Sequence, residues 1–284
     1  MANFLDIGGE RFAVGTRTLV MGILNVTPDS FSDGGRYDDH GAAHAHALAM
    51  VEDGADIIDI GGESTRPGSE EVSLEEEAAR VIPVIEALAK AISVPISVDT
   101  YKAEVARRAL AAGAAIVNDV WGLQRDPDMA GVVADADATL VAMHNRAEID
   151  ETVDIFSELM AFFDHTLAIA TIAGIDRSRI VLDPGIGFGK TAAQNVQVLS
   201  HLDDLKRFGL PILVGTSRKS MFGKFLGLPV DRRLNATLAS NVLAVAKGAD
   251  IVRVHDVREH VEACRFADLV TRPATGPAIG EPNG

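Results

Sequence analysis

Cysteine occurs once in the 284 residues, at Cys264, which excludes a disulfide framework and any multi-cysteine metal site and fits a reducing interior. Aromatic residues make up only 5% of the chain, the formal net charge is -15, and no basic stripe interleaved with aromatics occurs. Nucleic acid is therefore a poor partner. The start of the chain lacks a basic region followed by an apolar core, and no run approaches the roughly 20 apolar residues of a membrane span. A soluble, cytoplasmic protein is the expectation. No Pro/Ser-rich linker interrupts the chain before its tail, which favours one domain over two.

What the sequence does have is a repeated pattern. Eight short apolar, β-branched runs each stop at a polar residue: LVMGILN at Asn25, IIDIGGEST at Thr65, PISVDT at Asp99, AAIVND at Asn118 and Asp119, TLVAMH at His144, RIVLDP at Asp183, PILVGTS at Ser217 and DIVRVH at His255. Near-continuous apolar runs are the mark of strands buried on both faces, and parallel strands joined by helices provide that burial. Helical stretches follow each run, roughly at 40–53, 73–91, 102–112, 127–136, 151–173, 191–207, 233–247 and 257–268. The pattern predicts an α/β chain folded as a (β/α)8 TIM barrel, whose strand ends share one mouth. A short N-terminal β-hairpin around Gly8-Gly9 is expected over 1–18, the barrel over 19–270 and a disordered tail over 271–284.

The polar stops are then the candidate site residues. Asp99, Asn118 and Asp183 bring two carboxylates and an amide to one mouth, the donor and acceptor edges that suit a flat heterocycle rich in amide and amine groups. Each also has a helix-capping alternative, because Asp and Asn are favoured N-caps. DPGIGFGK at 183–190 is not a phosphate-binding P-loop, since Pro184 stands where that motif requires its first glycine. Its glycines let backbone approach a ligand, with Phe188 as a wall. GTSRKS at 215–220 and RVH at 253–255 place Arg218, Lys219, Arg253 and His255 after the last two strands, where barrels bind phosphate; Arg66 and Lys190 join this basic group. Asn25 offers one oxygen to a hard cation. The glycine-rich loops after the first two strands, TPDSFSDGGRYDDHG and ESTRPGSEEVS, read as lids, with Phe31 in the first poised to close on a ligand or to fold onto the rim. His40, His44 and His46 read as a solvated helix face rather than a metal cluster.

MGILNVTPDSFSDGG at 21–35, IDIGGESTRPG at 58–68, SVDTYK at 97–102, IVND at 116–119, DPGIGFGK at 183–190, GTSRKS at 215–220 and RVHDV at 253–257 together resemble the dihydropteroate synthase family of pterin-binding enzymes, over about Thr18 to Leu269. The resemblance implies a barrel, commonly a homodimer joined through its late helices. It implies the joining of 4-aminobenzoate to 6-hydroxymethyl-7,8-dihydropterin diphosphate by an SN1-like course, with Mg2+ as cofactor and sulfonamides as inhibitors. Carried over by residue, it places the pterin at Asp99, Asn118, Met143, Asp183, Phe188, Gly215, Lys219 and Arg253. Diphosphate falls to Asn25, Thr65, Arg66, Arg253 and His255, the metal to Asn25, and 4-aminobenzoate to Phe31, Pro67 and Ser220. Asp33, Asp99, Lys219 and Arg253 are implied as the catalytic group.

The chain departs from the family pattern after His144 and at Trp121. Two other readings stand beside synthase activity. A pterin-binding methyltransferase domain shares the barrel and the pterin-facing Asp and Asn, but needs neither a basic diphosphate pocket nor the SFSDGG lid. A silent pterin-binding paralogue needs no retained Lys219, Arg253 and His255.

Overall fold

The computed structural model describes residues 3–27, 36–63 and 71–272. Its first element is the expected hairpin, β1 (Asn3–Ile7) paired antiparallel with β2 (Glu10–Val14). The two-residue turn is Gly8-Gly9, with φ of 59° and 85° at the two positions, a turn whose twist matches that of the strands and which glycine adopts freely. Leu5 and Ile7 of β1 are buried with Leu19, Met21, Ile57, Ile116, Val141, Val181, Leu213 and Ile251. The hairpin thus plugs the barrel floor, and the Thr139 hydroxyl fixes it by donating to Asp6 O at 2.6 Å.

Eight parallel strands follow: β3 (Leu19–Asn25), β4 (Ile57–Gly61), β5 (Ile96–Asp99), β6 (Ile116–Asp119), β7 (Thr139–Met143), β8 (Ile180–Asp183), β9 (Leu213–Val214) and β10 (Ile251–Val254). Their order, β8-β7-β6-β5-β4-β3-β10-β9, pairs the first barrel strand, β3, with the last, β10, and a parallel bridge between Leu182 and Ile212 joins the two edges of the sheet, β8 and β9. The (β/α)8 barrel predicted by the apolar runs is therefore present.

Alternation within each strand divides the core. One set of side chains fills the lumen above the hairpin. The other set, including Val20, Leu24, Ile58, Ile60, Val98, Val117, Leu140, Leu182, Val252 and Val254, packs outward against the helices. Burial of one such side chain contributes about 1.5–3 kcal/mol, so both layers hold the barrel.

The helices are α1 (Arg36–Glu52), α2 (Leu74–Leu88), α3 (Ala103–Ala112), α4 (Met129–Asp135), α5 (Ile155–Ala173), α6 (Ala192–Ser200), α7 (Ser220–Leu226), α8 (Leu234–Ala246) and α9 (Val257–Thr271). Local chemistry sets several boundaries. Ser73 and Asp154 cap α2 and α5 through their side chains, Thr191 and Gln194 form a capping box on α6, and left-handed glycines at 113 and 174 end α3 and α5.

Three expectations change. The helix expected over 191–207 stops at Ser200, and a 3-10 segment, Leu202–Phe208, completes the connection. The stretch after strand β9 contains α7, which lacks a side-chain cap and carries Gly223 inside; burial of Met221 and Phe222 holds it instead. Finally, α5 is apolar and long enough by composition to cross a membrane, contrary to the sequence reading. It is an outer barrel helix, with Leu159, Phe163, Leu167 and Ala170 turned into the core at helical spacing.

Candidate active site

Counting in twos from the lumen-filling residues locates the site. One step toward the C-terminal end of each strand leads from Ile57 to Asp59, Ile116 to Asn118, Val141 to Met143, Val181 to Asp183, Leu213 to Gly215 and Ile251 to Arg253. Successive strand side chains alternate between faces, so all six positions point into the upper lumen. On β5 the same alternation gives Ser97 and then Asp99. Pairing keeps them level: Asn25 pairs with Gly61, Gly61 with Asp99, and Asp99 with Asn118.

Arg253 is held between two carboxylates. Its Nε donates to Asp59 Oδ2 at 2.6 Å and its Nη2 to Asp99 Oδ2 at 2.7 Å. Asp59 Oδ2 also accepts from Asn118 Nδ2 at 3.2 Å. Three buried acceptors in this group lack a hydrogen-bond partner: Asp59 Oδ1, Asp99 Oδ1 and Asn118 Oδ1. A buried acceptor without a donor costs about 1–3 kcal/mol, so this cluster is suited to a ligand that brings N–H groups.

Burial pushes the Asp99 carboxyl up to about 7, with Arg253 pulling against it. Burial likewise raises Asp183 to about 6, opposed by the Gly185 N–H that Asp183 Oδ1 accepts at 2.7 Å. Carboxyls perturbed this far by desolvation cluster at functional sites. Above them, Lys219 sits over the Phe188 ring, its Nζ 4.0 Å from the centroid.

The glycine loop carrying Phe188 is locked from behind. Lys190 is 4% exposed, and its Nζ bonds His144 Nδ1 at 2.7 Å, Gly185 O at 2.9 Å and Phe188 O at 3.1 Å. Burial lowers Lys190 to about 7 and His144 to about 2, so the imidazole is neutral and accepts through Nδ1. Lys190 is thus a loop anchor and not part of the basic mouth.

Arg218 also leaves that group. Its backbone is left-handed, φ 57°, and its guanidinium reaches the exposed side to pair with Asp256 at 2.5 Å. His255 stays at the mouth, with Nδ1 2.8 Å from the Ser217 hydroxyl, which also accepts from His255 N at 3.2 Å. Asn25 closes β3 half-buried, and Ser220 opens α7 exposed. Phe31, Asp33, Thr65, Arg66 and Pro67 lie outside the described residues.

Asp119 acts as a turn cap, accepting from Trp121 N at 2.9 Å and Leu123 N at 2.6 Å. Trp121 packs beside Tyr101, Val120, Met143 and Phe188 at the rim. The stems of the second long loop meet at Tyr101, whose hydroxyl lies 3.0 Å from both Glu63 and Glu71. The sequence reading overlooked two things here: Asp59, inside an apolar run, and this Tyr101 clasp. Asp59 was findable as a charge on the lumen-facing parity of a buried strand. Among the described residues no group of three or more His, Cys, Asp or Glu could hold a metal, so His40, His44 and His46 form no such cluster.

A family model described as "Pterin binding enzyme" matches residues 21–255. The dihydropteroate synthase of Bacillus subtilis is 52% identical over 254 residues, 89% of this chain and 89% of that protein. Among solved structures, Clostridium difficile dihydropteroate synthase in the presence of pteroic acid superposes with a TM-score of 0.90 at 51% identity, covering 92% of this chain and 99% of that one. Xanthomonas albilineans dihydropteroate synthase with 4-aminobenzoic acid gives a TM-score of 0.90 at 45% identity, covering 95% and 98%.

Proposed function

Given that this chain belongs to the pterin-binding enzyme family, among its dihydropteroate synthases, we propose that it joins 6-hydroxymethyl-7,8-dihydropterin diphosphate to 4-aminobenzoate, releasing diphosphate and 7,8-dihydropteroate. The observation that carries this reading is the trio of unpartnered acceptors around Arg253, beneath a mouth lined by Lys219 and His255.

In this mechanism the pterin amine and ring N–H groups donate to Asp99, Asp183 and Asn118. Phe188 and Met143 line its faces, with Gly215 leaving room beside Arg253. Lys219 and Arg253 serve to stabilise charge as the C–O bond to diphosphate breaks. Arg253, His255, Asn25, Thr65 and Arg66 hold the departing diphosphate. Loss of the leaving group in an SN1-like course gives a methylene cation conjugated to the ring, which Asp33 tempers. Phe31, Pro67 and Ser220 hold 4-aminobenzoate so that its neutral nitrogen attacks that carbon and then loses a proton, while the two loops exclude water.

A Mg2+ ion fits this donor set only in partnership with substrate. Asn25, level with Asp99 across the paired strand ends, would hold the ion through one carboxamide oxygen, leaving the rest of the shell to substrate phosphate and water. When bound, the ion supplies neutralisation of phosphate charge.

Purified protein with Mg2+ and both substrates is expected to release diphosphate and form dihydropteroate in equal amounts. Sulfonamides, which share the aniline ring and an acidic group, are expected to raise the apparent KM for 4-aminobenzoate without lowering kcat. A folded sample that binds pterin yet releases no diphosphate sinks the proposal in favour of a silent paralogue; methyl transfer to a corrinoid sinks it in favour of a methyltransferase.

We also propose a homodimer through the late helices. Phe225 and Leu226 on α7, Leu243 on α8, and Phe266, Leu269 and Val270 on α9 are exposed apolar side chains on consecutive helices. Apolar exposure of that extent marks an interface, and a second copy of the chain is the commonest occupant. Sedimentation is expected to give a dimer that Phe266→Glu converts to monomer; a monomeric wild type rejects it.

A further inference from the structure

We propose that Asp59, buried in the middle of β4, is a positioning residue for the pterin: it aims the Arg253 guanidinium and decides which edge of the Asn118 amide meets the substrate. This rests on the function proposed above. In the order β10-β3-β4-β5-β6, Asp59 stands two strands from Arg253 on one side and two from Asn118 on the other. Its side chain reaches both across the lumen, and one oxygen, Oδ2, accepts from Arg253 Nε at 2.6 Å and from Asn118 Nδ2 at 3.2 Å.

The consequence for Asn118 follows from the chemistry of an amide. One edge donates and the other accepts. With Nδ2 committed to Asp59, the edge left over is Oδ1, which is buried and has no protein partner. Asn118 therefore offers an acceptor and selects a substrate N–H. For Arg253 the consequence is a fixed plane. Nε held by Asp59 and Nη2 held by Asp99 pin a rigid fork at two points, so its flat face cannot swing. A carboxylate retained only to neutralise Arg253 would need no contact with Asn118.

Asp59→Leu keeps the size and branching of the side chain and tests the idea. It removes the one oxygen that Arg253 Nε and the Asn118 NH2 share, so the guanidinium loses one of its two fixed points and the Asn118 amide is free to turn over and show the substrate a donor. The KM for the dihydropterin diphosphate is expected to rise about tenfold or more, as befits the loss of one charge-assisted contact. The KM for 4-aminobenzoate is expected to stay within about twofold. In an Asn118→Ala background, which has no amide to turn, the added effect of Asp59→Leu is expected to shrink to its Arg253 share. A uniform fall in kcat with both KM values unchanged, or full additivity of the two substitutions, would overturn the assignment.

A second measurement needs no substitution at Asp59. In wild-type protein labelled with 15N-asparagine, the Asn118 side-chain NH2 signal, identified by its absence from Asn118→Ala, is expected to exchange slowly with solvent and to keep its shift when a pterin binds. Transfer of that NH2 to the ligand, seen as a large shift on binding, would also overturn it. Inactivity of wild type in the substrate assay would count against the proposed function, while the NH2 signal would still decide the role of Asp59.

Discussion

Arg253→Ala is expected to lower kcat/KM for the dihydropterin diphosphate by about 10³-fold, on the order of 4 kcal/mol of transition-state stabilisation. Arg253 is the one described group that bonds both Asp59 and Asp99, and it is proposed to meet ring and diphosphate together. Arg253→Lys should recover only part of the loss, because an ammonium is a single point and cannot occupy the Nε and Nη2 positions at once. The effect on stability should be smaller than the effect on rate. Breaking a buried pair costs about 3–5 kcal/mol when the orphaned charge has no escape. Here it has one, since Asp99 already titrates at about 7 and takes up a proton cheaply near neutrality.

The pH dependence carries the same logic. Arg253 holds the Asp99 value down against burial, so removing it raises that value further. The ionised carboxylates accept the substrate N–H groups, and protonation turns them off as pH falls. In wild type, kcat/KM for the pterin substrate should therefore drop below about pH 7, through ionisations near 7 and 6 for Asp99 and Asp183. In Arg253→Ala that acid limb should move to higher pH. Steady-state kinetics across the range and thermal denaturation check both halves; a variant within tenfold of wild type, with an unmoved acid limb, would remove Arg253 from the centre of the mechanism.

Much of this was legible from sequence because barrel strands obey a rule of two. A buried strand that ends in Asp99, Asn118 or Asp183 leaves little choice about where the side chain goes, and the structure brings these three together beside Arg253. The same rule would have exposed Asp59, two positions past Ile57, had β4 been ended at Gly61 rather than carried on to Thr65. Other features were not legible because they depend on contacts across the fold. Lys190 and Lys219 each follow a barrel strand, yet three acceptors from two loops hold Lys190 inside while Lys219 reaches Phe188. Arg218 is turned outward by a left-handed backbone that sequence gives no cause to expect at arginine. Helix α7 forms against its own glycine because the core accepts Met221 and Phe222.

The glycine loop gives the second large effect. Gly185→Ala is expected to lower Tm by about 6–12 °C, from a loss of roughly 3 kcal/mol, and to reduce kcat/KM for the pterin substrate by about 10²-fold. Gly185 has φ +66°, a left-handed conformation that costs an L side chain about 1–2 kcal/mol. A Cβ there would also run into the His144 carbonyl oxygen, which is backbone and cannot turn aside. Relief requires the loop to shift, and two contacts shift with it: the Gly185 N–H that orients Asp183 at 2.7 Å, and the Gly185 O that anchors Lys190 at 2.9 Å. Gly174→Ala separates the two causes. That glycine ends α5 with φ +84° and open space around its Cβ position, so only the conformational cost applies. It should lower Tm by no more than about 2–8 °C and leave activity unchanged. Equal losses of Tm and activity in the two variants would show that the close approach of Gly185 to His144 does not hold Asp183 in place.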